Sequence, residues 1–298
     1  WCALWFWPLD QLDAMPLPSE LLAPGEAART VVRALRDSKR FLHWELEFPD
    51  VFTEKGAGFD AVVGNPPWEI QKPNSKEFFS NHDPLYRAYG KQEALRVQKA
   101  LFEAHPAIEG EWLAYNGDFK DRGNFVKHGA EPFGDGKVAD HGGGDVSLVR
   151  GKQGAALHKT WRGKRARYRG LSDPEHPFRH QGSADLNTYK MFVEQSHALL
   201  GDGGQLGLVV PSGIYTDKGT GDLRRLLLQR CAWRWLYGFE NRNKLFDIHR
   251  SFKFCVLIAE KGGQTEAIQA AFMRHELEDW AGAKAALAYP AERVTSFS

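Results

Sequence analysis

The sequence has few cysteines, no long apolar run and almost no net charge, and each absence excludes a class of protein. Its three cysteines (Cys2, Cys231 and Cys255) are odd in number and far apart. This excludes a disulfide framework and indicates a reducing compartment, so we expect a cytoplasmic location. No apolar run approaches the ~20 residues that a membrane-spanning helix needs. We therefore expect no membrane partner.

The formal net charge of +1 over 298 residues argues against a protein that is basic throughout. The apolar start WCALWFW ends at Pro8 and lacks the basic flank of a signal peptide. The length suffices for one large domain or two smaller ones. Because the chain begins with Trp1 rather than Met, we expect it to be a piece of a longer protein.

The hydrophobic pattern predicts an α/β fold. Short apolar runs read as strands at 59–64, 205–211, 233–240 and 251–263. The first of these, FDAVVG, is apolar almost throughout, as in a parallel strand that is covered on both faces. Helical spacing marks the segments between the strands, at 185–200 and 220–230.

Polar residues mark where these two helices begin. Asp185 is a natural N-cap for the first helix, and Thr220 or Gly221 lies near the cap of the second. Residues 69–184 differ, because they are rich in Gly, Lys, Arg and His and show sparse apolar periodicity. We expect a functional insertion there that is partly irregular.

The strand at 59–64 is followed by Asn65-Pro66-Pro67-Trp68, which cannot continue it. Two prolines remove two backbone donors and fix φ, and Pro66 also keeps Asn65 out of the helical region. We therefore predict a rigid corner at the carboxyl end of a strand, where α/β folds bind their ligands. The alternative is a strand-ending turn with no further role.

This corner suits an amine substrate. An exocyclic amino group is a weak nucleophile because its lone pair is delocalised into the ring, and two acceptors aimed at its N–H bonds favour the reactive geometry. The Asn65 side-chain oxygen and the Pro66 carbonyl can be those acceptors, with Pro67 holding the second in place. Trp68 can stack on an extruded base. We predict these four as the catalytic residues, acting by positioning and electrostatics.

The stretch GFDAVVGNPPW resembles the catalytic motif of the amino-group DNA methyltransferases that use S-adenosylmethionine. It is most similar to the N6-adenine branch found in type IIG restriction–modification enzymes and phage-defence methylases. HWELEFPDVF, DLNTYKMFVEQSHALLGDGGQLGLVVPSGIYTDKGTGDLRRLL and NKLFDIHRSFKFCVLIAEKGG resemble other parts of that family, so the resemblance covers about 41–68 and 185–262. It implies a Rossmann-like class I methyltransferase sheet, of which this chain carries the C-terminal half, with a long basic insertion.

The resemblance also implies roles for individual residues. Asn65 and Pro66 would hold the N6 amine of a flipped adenine, while Trp68 and Phe246 would stack on its two faces. Asn65 would also border the cofactor, S-adenosyl-L-methionine, with Tyr189 and Phe192 near the adenosine end. The implied function is site-specific methylation of adenine N6 in DNA by a restriction–modification or phage-defence protein.

The resemblance divides the chain into four parts. They are the lead-in and catalytic-motif strand (1–68), a DNA-contacting insertion (69–184), the C-terminal half of the methyltransferase domain (185–262) and a linker toward a target-recognition region (263–298). Nothing in 1–57 resembles the family's glycine-rich cofactor loop, so we expect that loop upstream in the parent chain and expect this piece alone to be inactive. Its partners would be double-stranded DNA, that upstream region and a downstream target-recognition domain.

A local basic segment follows the insertion's glycine-rich part. Residues 150–180 hold nine Lys and Arg against Asp173 and Glu175, and HKTWRGKRARYRG interleaves Trp161 and Tyr168 with basic side chains. Such a composition is typical of a segment that tracks phosphates and stacks on bases. We predict DNA contacts by Lys159, Arg162, Lys164, Arg165, Arg167 and Arg169. The alternative is a solvated basic loop that binds nothing.

No metal site is predicted. His128, His141 and His158 lie among Gly and Asp, but their spacing matches no standard ligand set and no cysteine is nearby. The tryptophans of WCALWFW are expected in a core rather than in a binding site.

Other functions stay open at this point. The same corner could present N4 of cytosine, an RNA base or a protein glutamine to its two acceptors. The missing cofactor loop also leaves a non-catalytic DNA-binding fragment as an alternative.

Overall fold

A computed structural model describes residues 1–130, 160, 163–168, 171–182, 185–281 and 286–295. The chain forms two compact units. The first contains Trp1–Phe41 and Gln71–His176, and the second contains Leu42–Ile70 and Pro177–Ser298. The sequence-based division placed 1–68 in one part, whereas the structure assigns the segments before and after Phe41 to different units.

The α-helices in the described parts of the first unit are α1 (Cys2–Trp5), α2 (Glu26–Lys39), α4 (Ser75–Phe79), α5 (Lys91–Ala104) and α6 (Pro106–His128). Those of the second unit are α3 (Trp44–Glu47), α7 (Thr188–Leu199), α8 (Gly213–Thr216), α9 (Gly221–Arg230), α10 (Glu278–Ala281) and α11 (Ala291–Thr295). Short 3-10 turns lie at Leu9–Ala14, Pro18–Glu20, Tyr86–Ala88, Ala166–Tyr168, Lys218–Thr220 and Asn241–Asn243. None of these helices is both long enough and apolar enough to cross a bilayer.

The second unit is built on a six-stranded mixed sheet with the order β1-β2-β4-β3-β5-β6. Its strands are β1 (Phe59–Gly64), β2 (Leu200–Pro211), β3 (Cys231–Glu240), β4 (Lys253–Lys261), β5 (Ala267–Arg274) and β6 (Leu287–Pro290). β1 is parallel to β2 and β5 is parallel to β3, whereas β4 is antiparallel to both of its neighbours and β6 is antiparallel to β5. This sheet, flanked by helices, confirms the predicted α/β class.

The strand directions bring three segments to one end of the sheet. β1 and β2 are parallel, so their carboxyl ends lie together, and the amino end of the antiparallel β4 lies at the same end. Pro211 at the end of β2 accordingly pairs with Phe254 near the start of β4. The corner that follows β1 therefore lies beside the turn after β2 and the residues that precede β4.

The core of the second unit fixes α7 and α9 against the sheet. Leu206, Leu208 and Val210 alternate along β2 with exposed or half-buried residues, and all three are buried. They share a hydrophobic cluster with Val193 of α7 and Leu227 of α9. Each fully buried side chain of this kind contributes about 1.5–3 kcal/mol. The apolar face of α7, the helix nearest the corner, is thus held rigidly against the sheet.

The first unit has two hydrophobic clusters of its own. The N-terminal cluster contains Trp5 and Trp7, each 4% exposed, together with Val31 and Leu35 of α2. This confirms the expectation that the first tryptophans belong to a core. The second cluster is aromatic, with Phe79 and other rings packed against α5 and α6.

Two regions contain more regular structure than the sequence analysis gave them. The insertion contains the long helices α5 and α6, because KQEALRVQKALFEA consists of strong helix formers whose apolar positions Ala94, Val97 and Leu101 share one face. The expected linker at 263–298 contains β5 and β6. Ile268 and Ala270 of β5 are each 3% exposed because β5 pairs with β3, a strand distant in sequence.

A third correction concerns β1. Its apolar sequence predicts a strand covered on both faces, but among the described residues it pairs with β2 alone and forms an edge of the sheet. Val63 is 83% exposed, so the face of β1 from which its side chain projects is uncovered in the part of the chain that the structure describes. Apolar side chains of the preceding segment, Leu42 and Leu46, are also exposed, at 53% and 78%. An uncovered apolar edge of this kind is unusual in a folded sheet.

Candidate active site

The corner at 65–68 leaves the end of β1 with its polar groups available. Asn65 is exposed, and within the part of the chain that the structure describes neither its side chain nor the Pro66 carbonyl has a hydrogen-bond partner. Pro66 itself is buried, so its ring anchors the turn. Two oxygen acceptors on adjacent residues can therefore accept hydrogen bonds from an incoming group.

Trp68 is held in place on several sides. Its indole N–H donates to the Val209 carbonyl of β2 at 3.3 Å. Its ring stacks on Phe252, with centroids 5.4 Å apart and an interplanar angle of 10°. Phe246 meets it edge to face, at 6.0 Å and 82°. The indole is thus a fixed aromatic surface rather than a freely rotating side chain.

The ring that lies parallel to Trp68 is Phe252, for which the alternation Phe252-Lys253-Phe254 predicts only packing in a strand. The resemblance named Phe246 as the second stacking ring, and here Phe246 lies perpendicular to the indole and packs on Phe254. Phe252 is 38% exposed, which leaves part of its ring open. No local sequence signal marks Phe252, because its position follows from the strand order β1-β2-β4 and from the antiparallel direction of β4.

A cleft of about 500 Å³ opens beside Trp68. This volume falls in the range of small-molecule sites. The cleft is lined by Trp68, Ile70, Asn187, Tyr189, Pro211, Ser212, Gly213, Thr216, Asp217, His249, Ser251, Phe252 and Lys253. The rings of Trp68, Tyr189 and Phe252 and several polar side chains thus converge on it, while Asn65 and Pro66 are outside its lining.

Helix α7 supplies one wall of the cleft, and its start differs from the prediction. The helix begins at Thr188 and is capped by Asn187, whose side-chain oxygen accepts from the Tyr189 N–H at 3.2 Å. Asp185, the predicted cap, lies too far before the first helical residue. A cap must sit immediately before the first turn to reach the free N–H groups.

The two residues expected near the cofactor have different surroundings. Tyr189 is 4% exposed and lines the cleft, whereas Phe192 is 46% exposed and does not. Burial, followed by the Asp217 carboxylate, raises the pKa of the Tyr189 hydroxyl well above its ordinary value. That hydroxyl therefore stays protonated at neutral pH and can act as a donor.

The basic segment is only partly described. Lys159, Arg162 and Arg169 lie outside the described residues. Lys164 donates to the Met15 carbonyl at 2.8 Å, and Arg167 is exposed.

Arg165 is the clear correction in this segment, because it is 2% exposed and cannot contact a phosphate from that position. Its burial beside Tyr168, which is fully buried, indicates a packing role in the first unit. Of the predicted DNA contacts, Arg167 is the one whose side chain is both described and exposed.

Among the residues that the structure describes, no group of three or more His, Cys, Asp and Glu side chains could hold a metal ion. His128 lies among these residues, while His141 and His158 are not described.

Comparison with known protein families gives one match. The model of the Eco57I restriction-modification methylase family matches residues 26–101 and 171–246, which together make up just over half of the chain. The matched ranges include the 65–68 corner, α7 and Phe246, while Phe252 lies beyond them. No curated protein matches the chain.

Several solved structures match the chain at low identity and low TM-score. The methyltransferase subunit of a type I restriction-modification system from Streptococcus thermophilus is 17% identical over 42% of this chain, with a TM-score of 0.32. A structure of an assembling type I restriction-modification system is 12% identical over 99% of this chain and 83% of its own, with a TM-score of 0.34. A DrdV–DNA complex is 11% identical over 38% of this chain, with a TM-score of 0.29. The chain spans 31% of the Streptococcus subunit and 14% of DrdV.

Proposed function

The chain belongs to the Eco57I restriction-modification methylase family, and on that premise we propose that it methylates the N6 amine of an adenine extruded from duplex DNA. Membership of the family supports the methyltransferase class, while the base, the atom and the extrusion are our proposal. The observation that carries it is the corner at the end of β1. There the Asn65 side chain and the Pro66 carbonyl have no partner among the described residues, while the adjacent Trp68 ring is fixed.

In the proposed mechanism each corner residue has a separate role. The Asn65 oxygen and the Pro66 carbonyl each accept one N–H of the substrate amine, which localises the nitrogen lone pair and aims it. Trp68 stacks on the base with the part of its ring that Phe252 leaves uncovered, and Phe252 supports the indole by stacking on it. Neither acceptor has to act as a strong base, because the rate gain comes from orientation and from stabilising positive charge on the amine in the transition state.

The described residues fit part of a site for S-adenosylmethionine, which when bound supplies the methyl group. Asn65 offers an available carboxamide at the carboxyl end of β1, and Phe192 presents a partly exposed ring on α7. Residues 1–57 contain nothing like the glycine-rich turn expected to complete such a site. We propose that Asn65, Tyr189 and Phe192 hold the cofactor's near side.

The uncovered edge of β1 indicates where the rest of the cofactor site would lie. Val63 is 83% exposed on a strand whose sequence is typical of a sheet interior. We propose that the glycine-rich cofactor region of the parent protein completes the sheet along this edge. The edge backbone groups of β1 would then find partners, and the cofactor would lie next to Asn65.

Methyl transfer from labelled S-adenosylmethionine to duplex DNA tests the proposal, with the full-length product of the gene as the protein. We expect label in N6-methyladenine. Asn65→Ala should lower kcat by about 10²–10³-fold, as loss of one transition-state acceptor does, while DNA affinity stays within about twofold of wild type. Asn74→Ala is the matched control, because Asn74 caps α4 in the first unit.

The outcomes separate the alternatives. Label in N4-methylcytosine would show that cytosine, not adenine, is the substrate, and the mechanism proposed for the corner would still apply. DNA binding without any transfer would indicate a non-catalytic DNA-binding role. Equal turnover of Asn65→Ala and wild type would refute the role given to the corner.

A further inference from the structure

The residues directly after the catalytic corner are attached to the start of α7. The Asn187 side-chain N–H donates to the Trp68 carbonyl at 3.3 Å, while its side-chain oxygen accepts from the Tyr189 N–H at 3.2 Å. One amide therefore caps the helix and holds the corner. Aspartate would satisfy the cap alone, but an ionised carboxylate has no hydrogen to donate to the Trp68 carbonyl, whereas the amide supplies both acceptor and donor.

The neighbouring residue strengthens the same attachment. The Thr188 backbone N–H and hydroxyl both donate to the Glu69 carbonyl, at 2.9 and 3.1 Å. Ile70 and Asn187 form an isolated antiparallel bridge. Two consecutive residues at the start of α7 thus bind three consecutive residues after Pro67.

Helix α7 is itself a rigid support. Glu194, in its second turn, is 2% exposed and accepts from the backbone N–H groups of Arg179 and His180, at 2.6 and 2.7 Å. It also accepts from the Gln181 side chain at 2.7 Å. Val193 on the apolar face is fully buried. A buried carboxylate satisfied by several donors and a packed apolar face leave α7 little freedom to shift.

We propose that Asn187 is a positioning residue for methyl transfer, and this inference rests on the proposed function. Its amide fixes the main chain of Trp68, whose indole is fixed separately by the Val209 carbonyl. With backbone and side chain both held, the Asn65 and Pro66 oxygens keep a constant distance and angle to the stacked base. A small misplacement of such acceptors lowers the rate of a reaction that depends on orientation.

Asn187→Asp isolates this role from helix capping. Aspartate keeps the cap acceptor for Tyr189 but has no N–H for the Trp68 carbonyl. Asn74→Asp is the matched control, since Asn74 caps α4 by accepting from Lys76 and Glu77 N–H at 3.1 and 3.3 Å. Asn187→Gly, which is well tolerated at an N-cap and has no side-chain donor, serves as a second variant if the aspartate impairs folding.

Two readouts decide the inference. In Asn187→Asp we expect amide hydrogen exchange in 65–71 to rise about tenfold, as for loss of one hydrogen bond, with exchange along α7 and the unfolding midpoint unchanged. In the parent protein, kcat should fall about tenfold at constant DNA affinity. Asn74→Asp should change neither.

Unchanged exchange at 65–71 would overturn the attachment. Faster exchange with wild-type kcat would show that the attachment does not position the reaction, and would also overturn the proposal. If the wild-type protein transfers no methyl group at all, the proposed function fails, whereas the exchange experiment still decides whether Asn187 holds the corner.

Discussion

Replacing Trp68 tests both its packing and its proposed contact with a base. Trp68→Ala removes the donor to Val209 and the stack on Phe252. Truncating a buried Trp costs about 3–5 kcal/mol. Because Trp68 is only half-buried, we expect the lower end, about 3 kcal/mol, in the free energy of unfolding of the second unit. Trp68→Phe keeps a ring and loses the hydrogen bond, so it should cost about 1 kcal/mol.

Two measurements separate these effects. Urea unfolding followed by circular dichroism gives the loss of stability, and titration with a duplex carrying 2-aminopurine at the target position reports capture of the extruded base. We expect Trp68→Ala to weaken base capture by about 1–3 kcal/mol, the typical value of a lost base stack, and Trp68→Phe to retain most of it.

Trp44→Ala is the matched control. Trp44 is also a half-buried tryptophan of the second unit, and it stacks on Phe48 at 5.6 Å and 20°. Its loss should reduce stability without weakening base capture. An unchanged urea midpoint in Trp68→Ala would refute the packing argument. Equal losses of base capture in Trp68→Ala and Trp44→Ala would refute the stacking role, because destabilisation alone would then account for both.

Two further predictions concern the first unit. Arg167→Gln should reduce the slope of log affinity for DNA against log salt concentration by about 1. An unchanged slope would show that the segment is a solvated loop that does not bind DNA. Arg165→Gln should instead lower the urea midpoint of unfolding, because Arg165 is buried. Burial raises the pKa of Asp121 to about 7 against the opposing charge of Lys39. The folded state thus keeps a proton that the unfolded chain releases near pH 4, so the free energy of unfolding should fall as pH rises from about 4 to about 7. Asp121→Asn should flatten that part of the pH profile measured by urea unfolding, and an identical profile would contradict the assignment.

The sequence by itself determined those structural elements that depend only on residues close to one another in the chain. Two prolines stop β1 and create the corner whatever surrounds it, since they remove donors and fix φ. Apolar periodicity located β2, α7, α9 and the strands β3 and β4, and Thr220 precedes α9 as expected. The α/β class followed from the order of these elements. The corner's chemistry was also readable, because the acceptor oxygens belong to residues adjacent in the chain.

Only the tertiary structure decided which distant residues meet that corner. Phe252 stacks on the Trp68 ring, and the Asn187 side chain donates to the Trp68 carbonyl. Both contacts depend on β1 and β2 being parallel and on β4 being antiparallel, and no local sequence pattern encodes these pairings. The same holds for the burial of Arg165 and for β5, whose partner β3 lies more than twenty residues earlier. Local sequence sets the conformation of each segment, whereas long-range contacts decide which segments lie next to one another. Most residues of the proposed site come from segments that are distant in the chain, so only the tertiary structure could identify them.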